Sequence, residues 1–436
     1  MIRLILAAAL AFAVSLPARA IDIQEVTSPG GIKAWLVEEP SIPFTALEIR
    51  FSGGATLDRP GKRGALNLMT GLLEEGAGEL DSKAFAAQSE ALAARYGFSI
   101  SRDALSVSAR FLSENRDAAV ELLRLAITEP RFDQVALDRV RAQVLSGLAS
   151  DKTDPNTIAA RTFFEKAFGA HPYGSDQDGT IESVTALTRD DIVTAYGDAM
   201  ALDRIFVGAV GDITSEELGA LLDTLLGDLP ATGAPLTDRA AYLLEGGETI
   251  VPFETPQSVA IFGHAGIPRN APDFFPAYVM NQVLGAGGFG SRLMDEVREK
   301  RGLTYGVYSY LAPMDKAELV MGRVASSNDR VAEAISVIRS EWERLAREGV
   351  TAEELDVAKT YLTGAYPLRF DGNATIAGIL VGMQMDGLPT SYIDDRNAKI
   401  EAVTLEDIQR VAARLLQPDA LHFVVVGKPE GLQASN

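Results

Sequence analysis

Side chains able to do chemistry are few and scattered in this chain of 436 residues. Its three histidines, His171, His264 and His422, each lack a second His or a Glu at metal-ligand spacing. There is no cysteine, which excludes disulfides, thiolate metal sites and a cysteine nucleophile. Serine hydrolase, nucleoside triphosphatase and calcium-sensor readings have no motif behind them. What remains is a glycine cluster, "GAGGFG", with glycines at 285, 287, 288 and 290, followed by the helix-like run "SRLMDEVREKR". The spacing matches a dinucleotide fingerprint, but that chemistry needs a strand to deliver the glycines to a pyrophosphate at a helix N-terminus. The preceding "APDFFPAYVMNQVL" has apolar residues at helical spacing. Gly285, Gly287, Gly288 and Gly290 are therefore expected to form a helix-to-helix turn that lets backbone or a peptide come close.

Beyond the glycines, Arg298 and Tyr305 stand seven residues apart. A guanidinium offers a fixed fork of donors to carbonyl oxygens, and a phenol can donate to a developing oxyanion. Plain alternatives stand beside these roles. Arg298 shares its run with Arg292, Lys300 and Arg301 and fits a solvated face, and Tyr305 alternates with Leu303 and Val307 and fits a core aromatic. Asp295, Glu296 and Glu299, like Glu74 and Glu75, read as surface acids rather than paired catalytic carboxylates. His171 opens a Pro-Gly turn and fits either a contact residue or a local structural one.

The elements that would position these residues come in two sets. "SVTALTRDDIVTAY" and "DRIFVGAVGDI" in the first half parallel "IEAVTLEDIQRVAARL" and "ALHFVVVGKPE" near the C-terminus. Thr188, Asp191, Ile192 and Gly211 match Thr404, Asp407, Ile408 and Gly427 at a constant offset of 216. In each copy a Thr opens a helix and an apolar strand ending in Gly follows. Each half also has a strand with a Gly-rich turn, alternating strands such as "SVSARF" and "TYGVYSY", and a long amphipathic helix. The expected fold is α+β: two homologous domains, residues 21–230 and 246–436, each a mainly antiparallel sheet with helices packed on it, joined by a Gly- and Pro-rich linker at 231–245. Residues 1–20, "MIRLILAAALAFAVSLPARA", read as a signal peptide ending in a small-x-small site. Its removal takes Arg3 and Arg19 and moves the net charge from −20 to −22, which argues against nucleic acid as a partner. The expectation is an exported, periplasmic protein with no membrane span after cleavage.

"SRLMDEVREKRGLTYGVYS", the "HPYG" turn at His171 to Gly174, Asp154-Pro155 and the paired halves resemble the pitrilysin/insulinase-type zinc peptidases, the inverted zincins that include mitochondrial processing peptidase. The resemblance implies a clam-shell chamber of which this chain forms half. It also implies a metal site on the first helix of the first domain, H-x-x-E-H, with a downstream Glu as third ligand. In this sequence Asn67, Thr70 and Gly71 stand where His, Glu and His belong, and Ser146-Gly147 take the place of two acids. By that resemblance no metal ligand or catalytic base remains and zinc is not bound by this chain. Arg298 and Tyr305 match a pair that reaches substrate and reaction centre in relatives, and the glycine turn resembles a short form of the processing peptidase's substrate loop. The expected function is a non-catalytic, substrate-binding subunit of an exported heterodimeric zinc metallopeptidase. Its partner would bear H-x-x-E-H and zinc, with a peptide as substrate. The alternative is a pseudo-peptidase acting as peptide binder or scaffold without a catalytic partner.

Overall fold

The computed structural model describes residues 21–435, so the signal-peptide reading of residues 1–20 lies outside the described residues. Strands of the first half are β1 (Gln24–Thr27), β2 (Lys33–Glu38), β3 (Phe44–Ser52), the small hairpin β4 (Gly76–Ala77) and β5 (Leu80–Asp81), β6 (Arg95–Ile100), β7 (Ala104–Leu112) and β8 (Ile205–Gly211). The second half supplies β9 (Gly247–Pro252), β10 (Gln257–Ala265), β11 (Val307–Pro313), β12 (Glu318–Ser327) and β13 (His422–Gly427). The main sheets run β1-β2-β8-β3-β7-β6 and, read from its opposite edge, β9-β13-β10-β12-β11. Apart from the extra edge strand β1, the two orders are the same. Each has one parallel pair, β2 with β8 and β9 with β13, in an otherwise antiparallel ladder.

The repeat read from the sequence is a repeat of local physics. Thr188 and Thr404 each close a capping box with the acid three residues on, Asp191 and Asp407, which satisfies helix N-terminal donors that would otherwise be orphaned. Gly211 and Gly427 end the matched strands with φ of 141° and 153°. A second register, not visible until the strands are placed, covers the candidate site. "GAGELDS" (76–82) aligns with "GAGGFGS" (285–291), and "RYGFSI" (95–100) with "TYGVYS" (304–309), both at an offset of 209. Ala93 and Gly302 occupy one position in that register and share a left-handed backbone, φ 51° and 59°. Thus β6 and β11, not β7 and β11, are counterparts, and both are edge strands.

Each sheet buries one face beneath helices of its own half. In the second half the helix Val331–Glu348 turns Ile335, Ile338, Trp342 and Leu345 inward, a helical 3–4–3 spacing that matches one face to the sheet. The other face of each sheet is covered from across the molecule. Helix Pro155–Phe168 of the first half lays Ala159, Phe163 and Ala167 on the second sheet, and helix Asn373–Met385 lays Ala377 and Leu380 on Val37 and Val210 of the first. Gly208 permits the second contact, because a Cβ there would meet the Ala377 carbonyl oxygen at 2.7 Å. Residues 231–245 form no helix or strand, yet they are tied to both halves: Leu243 N donates to Ala167 O and Ala240 N to Lys316 O, each at 2.8 Å. The halves are therefore interlocked. Among the described residues no helix is long and apolar enough to cross a membrane.

Candidate functional site

The helix Ala65–Thr70 holds the positions that would carry a metal. Its N-terminus is closed from outside by Asp58, whose carboxylate accepts from Gly64 N at 2.7 Å and Leu66 N at 2.9 Å. Burial nonetheless pushes the Asp58 carboxyl up to about 6, against the pull of those hydrogen bonds and of Arg63. Asn67 is half-buried and Thr70 is buried, its hydroxyl donating back to Leu66 O at 2.7 Å. The α-helix ends at once: Gly71 is its C-cap, and a Cβ there would press Val140 Cγ1 at 3.1 Å. Gly147 lies on the exposed side of helix Gln134–Asp151. An amide, a spent hydroxyl and two glycines do not fit zinc, which takes imidazole, thiolate or carboxylate.

The histidines do not compensate. His171 accepts from Tyr173 N through Nδ1 at 3.1 Å and touches Asp238 O through Nε2 at 3.0 Å, so it is a local turn residue. His264 is buried, receives Trp342 Nε1 at 3.0 Å and contacts Ala265 O at 2.7 Å, and burial lowers its pKa and favours the neutral ring. His422 meets Thr249 Oγ1 at 2.9 Å and Glu245 O at 2.8 Å. Both nitrogens of every ring are engaged, and among the described residues no group of three or more His, Asp or Glu comes together to hold a metal.

The second-half residues are placed differently. The chain enters the glycine turn from helix Phe274–Asn281 through a wide π-type turn at Gln282–Ala286, and leaves through a second at Met294–Glu299. Such turns recur at functional sites because they re-aim side chains out of helical register. No strand delivers the glycines, so the nucleotide context is absent. The four glycines divide. Gly285 is buried, where a Cβ would meet Ser309 N at 2.6 Å, so it is a packing residue against β11. Gly287 is half-buried, while Gly288, at φ 55°, and Gly290 reach the surface.

The cations around Arg298 are spent elsewhere. Arg292 forms a close pair with Glu354 at 2.6 Å, and Lys300 and Arg301 both hold Glu296 at 2.7 and 2.6 Å. Of the acids read as surface residues, Asp295 and Glu296 are thus partners of these cations. Arg298 pairs with Glu299 through Nε at 3.3 Å and stacks over the Phe289 ring at 4.6 Å, and among the described residues its two Nη groups make no hydrogen bond. Tyr305 is not a core aromatic: it precedes β11 and is 86 % exposed. Both line a cleft of about 490 Å³ with Arg330, Gln257 and Ser327. Phe289, at the tip of the turn and 69 % exposed, was missed from sequence, although an aromatic within a glycine run is its signal.

The internal repeat gives this placement its meaning. At the position of Tyr305 the first half has Tyr96, whose hydroxyl donates to Ala119 O at 2.7 Å, and at the position of Arg298 it has Ser89, which donates to Ala94 O at 3.0 Å. The first half uses these positions for the fold. The second half turns Tyr305 to solvent and leaves Arg298 half-buried, stacked on Phe289 and beside Glu299.

Two peptidase-like domains closed on one another, with no ligand set on the metal helix, define the class: a two-domain clam-shell of zinc-peptidase architecture. Residues 33–179 match the profile of insulinase (peptidase family M16), and residues 186–362 match the peptidase M16 inactive domain. The chain belongs to the M16, insulinase-type peptidase family. It is 26% identical over 412 residues to the "non-peptidase homolog YmxG" of Helicobacter pylori, covering 94% of this chain and 95% of the relative. It is 25% identical to an uncharacterized zinc protease of Streptomyces coelicolor over 90% of this chain and 87% of that protein. A solved peptidase M16 inactive domain from Pseudomonas fluorescens superposes with a TM-score of 0.88 at 28% identity, covering 95% of this chain and all of that one.

Proposed function

We propose that the chain is the non-catalytic, substrate-binding subunit of an exported two-chain zinc metallopeptidase. A partner bearing H-x-x-E-H would supply the metal and the water-activating Glu, and this chain would supply Arg298, Tyr305 and the surface glycines to hold an extended peptide. The observation that carries the reading is the contrast within the repeat, where one copy ties Tyr96 to the backbone and the other leaves Tyr305 exposed at a cleft that Arg298 also lines. A scaffold without a partner needs neither residue exposed, although the name of the Helicobacter relative, a non-peptidase homolog, favours that second reading. Affinity purification of the tagged mature chain from its host, with mass-spectrometric sequencing of what co-elutes in near-equal amount, tests the pairing. A co-eluting H-x-x-E-H chain supports the half-enzyme, and a chain that elutes alone favours the scaffold. Turnover by the complex must then fall when Arg298 and Tyr305 are both replaced by alanine.

A further inference from the structure

The inner face of the second sheet is not wholly covered. Helix Pro155–Phe168 packs over Val259, Ile261, Leu319 and Met321, but stops short of the β11 edge. There Tyr308 and Tyr310 stand 46 % and 41 % exposed, rings 6.2 Å apart, on the face opposite the buried Val307 and Ser309. Arg323 is the cross-strand partner of Tyr308 and so shares its face. Its guanidinium bonds only the Asn156 amide oxygen, and among the described residues it has no ion-pair partner. The cleft of Arg298 and Tyr305 opens beside the same strand and is lined by Ala325 and Ser327, which also share this face.

A strip results, with three exposed tyrosines between Arg298, whose one ion-pair partner among the described residues is the exposed Glu299, and Arg323, which bonds only an uncharged amide. Its sign is opposite to that of the chain, which has 60 acidic against 40 basic residues. A cationic strip on an anionic protein selects a partner carrying carboxylates. Tyr rings offer large stacking area at low entropic cost, and the Tyr310 ring is held in place by its hydroxyl on Met321 Sδ at 3.6 Å. From Tyr305 to Tyr310 an extended chain spans roughly 17 Å, enough for a peptide of about six residues.

Resting on the peptide-binding reading above, we infer that the strip recognises an extended peptide combining acidic and aromatic side chains, the rings lying on Tyr308 and Tyr310 and the carboxylates at Arg298 and Arg323. The test is fluorescence anisotropy of the whole mature chain with fluorescein-labelled hexapeptides: one of glutamate and phenylalanine, one with lysine for glutamate, one with serine for phenylalanine. The acidic aromatic peptide binds about tenfold tighter than either relative, roughly the worth of one exposed ion pair plus one stacked ring. Arg323→Glu removes the discrimination against lysine, and Tyr308→Ser with Tyr310→Ser removes that against serine, while cooperative thermal melts and retained binding of the acidic serine peptide by the tyrosine variant show that the fold persists. Equal affinity for the three peptides, preference for the lysine peptide, no binding, or tighter binding of a thymidine hexanucleotide would each overturn the inference. If composition has no effect while alanine at Arg298 and Tyr305 weakens all three peptides alike, this inference fails and the peptide-binding reading survives. If no peptide binds, both fail.

Discussion

Reinstating the metal motif by Asn67→His, Thr70→Glu, Gly71→His and Gly147→Glu tests whether the chemistry was lost from side chains alone or from the scaffold as well. The structure argues for the scaffold. Thr70 is 3% exposed, so a glutamate there places a carboxylate where no cation is waiting, at a cost of about 3–5 kcal/mol near neutral pH. A histidine at Gly71 is exposed on one side but brings its Cβ to 3.1 Å from a methyl group of the buried Val140, which must give by a few tenths of an ångström. Overpacking of that kind costs about 1–3 kcal/mol. Together these approach the whole stability of an ordinary domain, about 5–15 kcal/mol. The four-residue variant should melt more than about 10 °C below the parent. It should retain well under one zinc per chain by elemental mass spectrometry after desalting, and show no peptidase activity. Adding Val140→Ala should return part of the lost stability without restoring zinc. The reasoning is refuted if the variant holds one tightly bound zinc and zinc raises its melting temperature, since binding then stabilises a site whose geometry had persisted.

Three further outcomes are expected. Tyr305→Phe should leave stability within about 0.5 kcal/mol but lower turnover of the assembled complex by about a hundredfold, whereas Tyr96→Phe should cost about 1 kcal/mol and leave turnover unchanged; melts and steady-state kinetics separate the two. Gly285→Ala should destabilise by about 1–3 kcal/mol because its Cβ meets Ser309, while Gly290→Ala, with open space around it, should be nearly neutral by denaturant titration. The raised Asp58 carboxyl, about 6, means that the folded state holds a proton which the unfolded chain, near 4, has released. Stability should therefore fall as pH rises from about 4 through 6, by at most ~3 kcal/mol from this group, and melts of Asp58→Asn against the parent across that window should show the slope reduced.

The fold was largely legible in the sequence because its repeated parts are held by short-range signals. A Thr three residues before an acid declares a helix start in both halves, and an apolar run ending in Gly declares the strand that follows. The register around the candidate site was harder to see. "GAGELDS" and "GAGGFGS" share only glycines, an alanine and a serine, and their offset of 209 differs from the 216 seen downstream. Tyr305 was open to misreading because period-two alternation with Leu303 and Val307 implies a strand, whereas the strand begins at Val307 and leaves Tyr305 in the entering loop. Arg298 was open to misreading for another reason. Helical spacing groups it with Arg292, Lys300 and Arg301, but the π-type turn takes those neighbours to Glu354 and Glu296 and leaves its fork alone. Covering of each sheet by a helix of the other half, with Ala167 and Val259 already 92 positions apart, had no local signal at all.

One chain that contains its own repeat supplies an internal control on which positions the fold requires. Where both copies need a conformation, both retain it: the capping boxes at Thr188 and Thr404, the glycine strand ends at 211 and 427, and the left-handed backbone at Ala93 and Gly302. Ala93 is the instructive case, since a residue with a Cβ accepts the unfavourable φ of 51° rather than abandon the turn. Where the copies part, the fold is indifferent to at least one solution. A tyrosine at the edge-strand entry can be tethered, as Tyr96 is, so exposing Tyr305 is not forced by the architecture. The same reasoning separates the two ends of the molecule. At the helix Ala65–Thr70, Thr70 is buried with its hydroxyl on Leu66 O and Gly71 serves as the C-cap, both structural uses. At the glycine turn, Tyr305 stays exposed and Arg298 lines the same cleft beside Glu299. Burial of apolar surface would have favoured closing them down. That Tyr305 stays open supports the proposal of a binding surface in the second half.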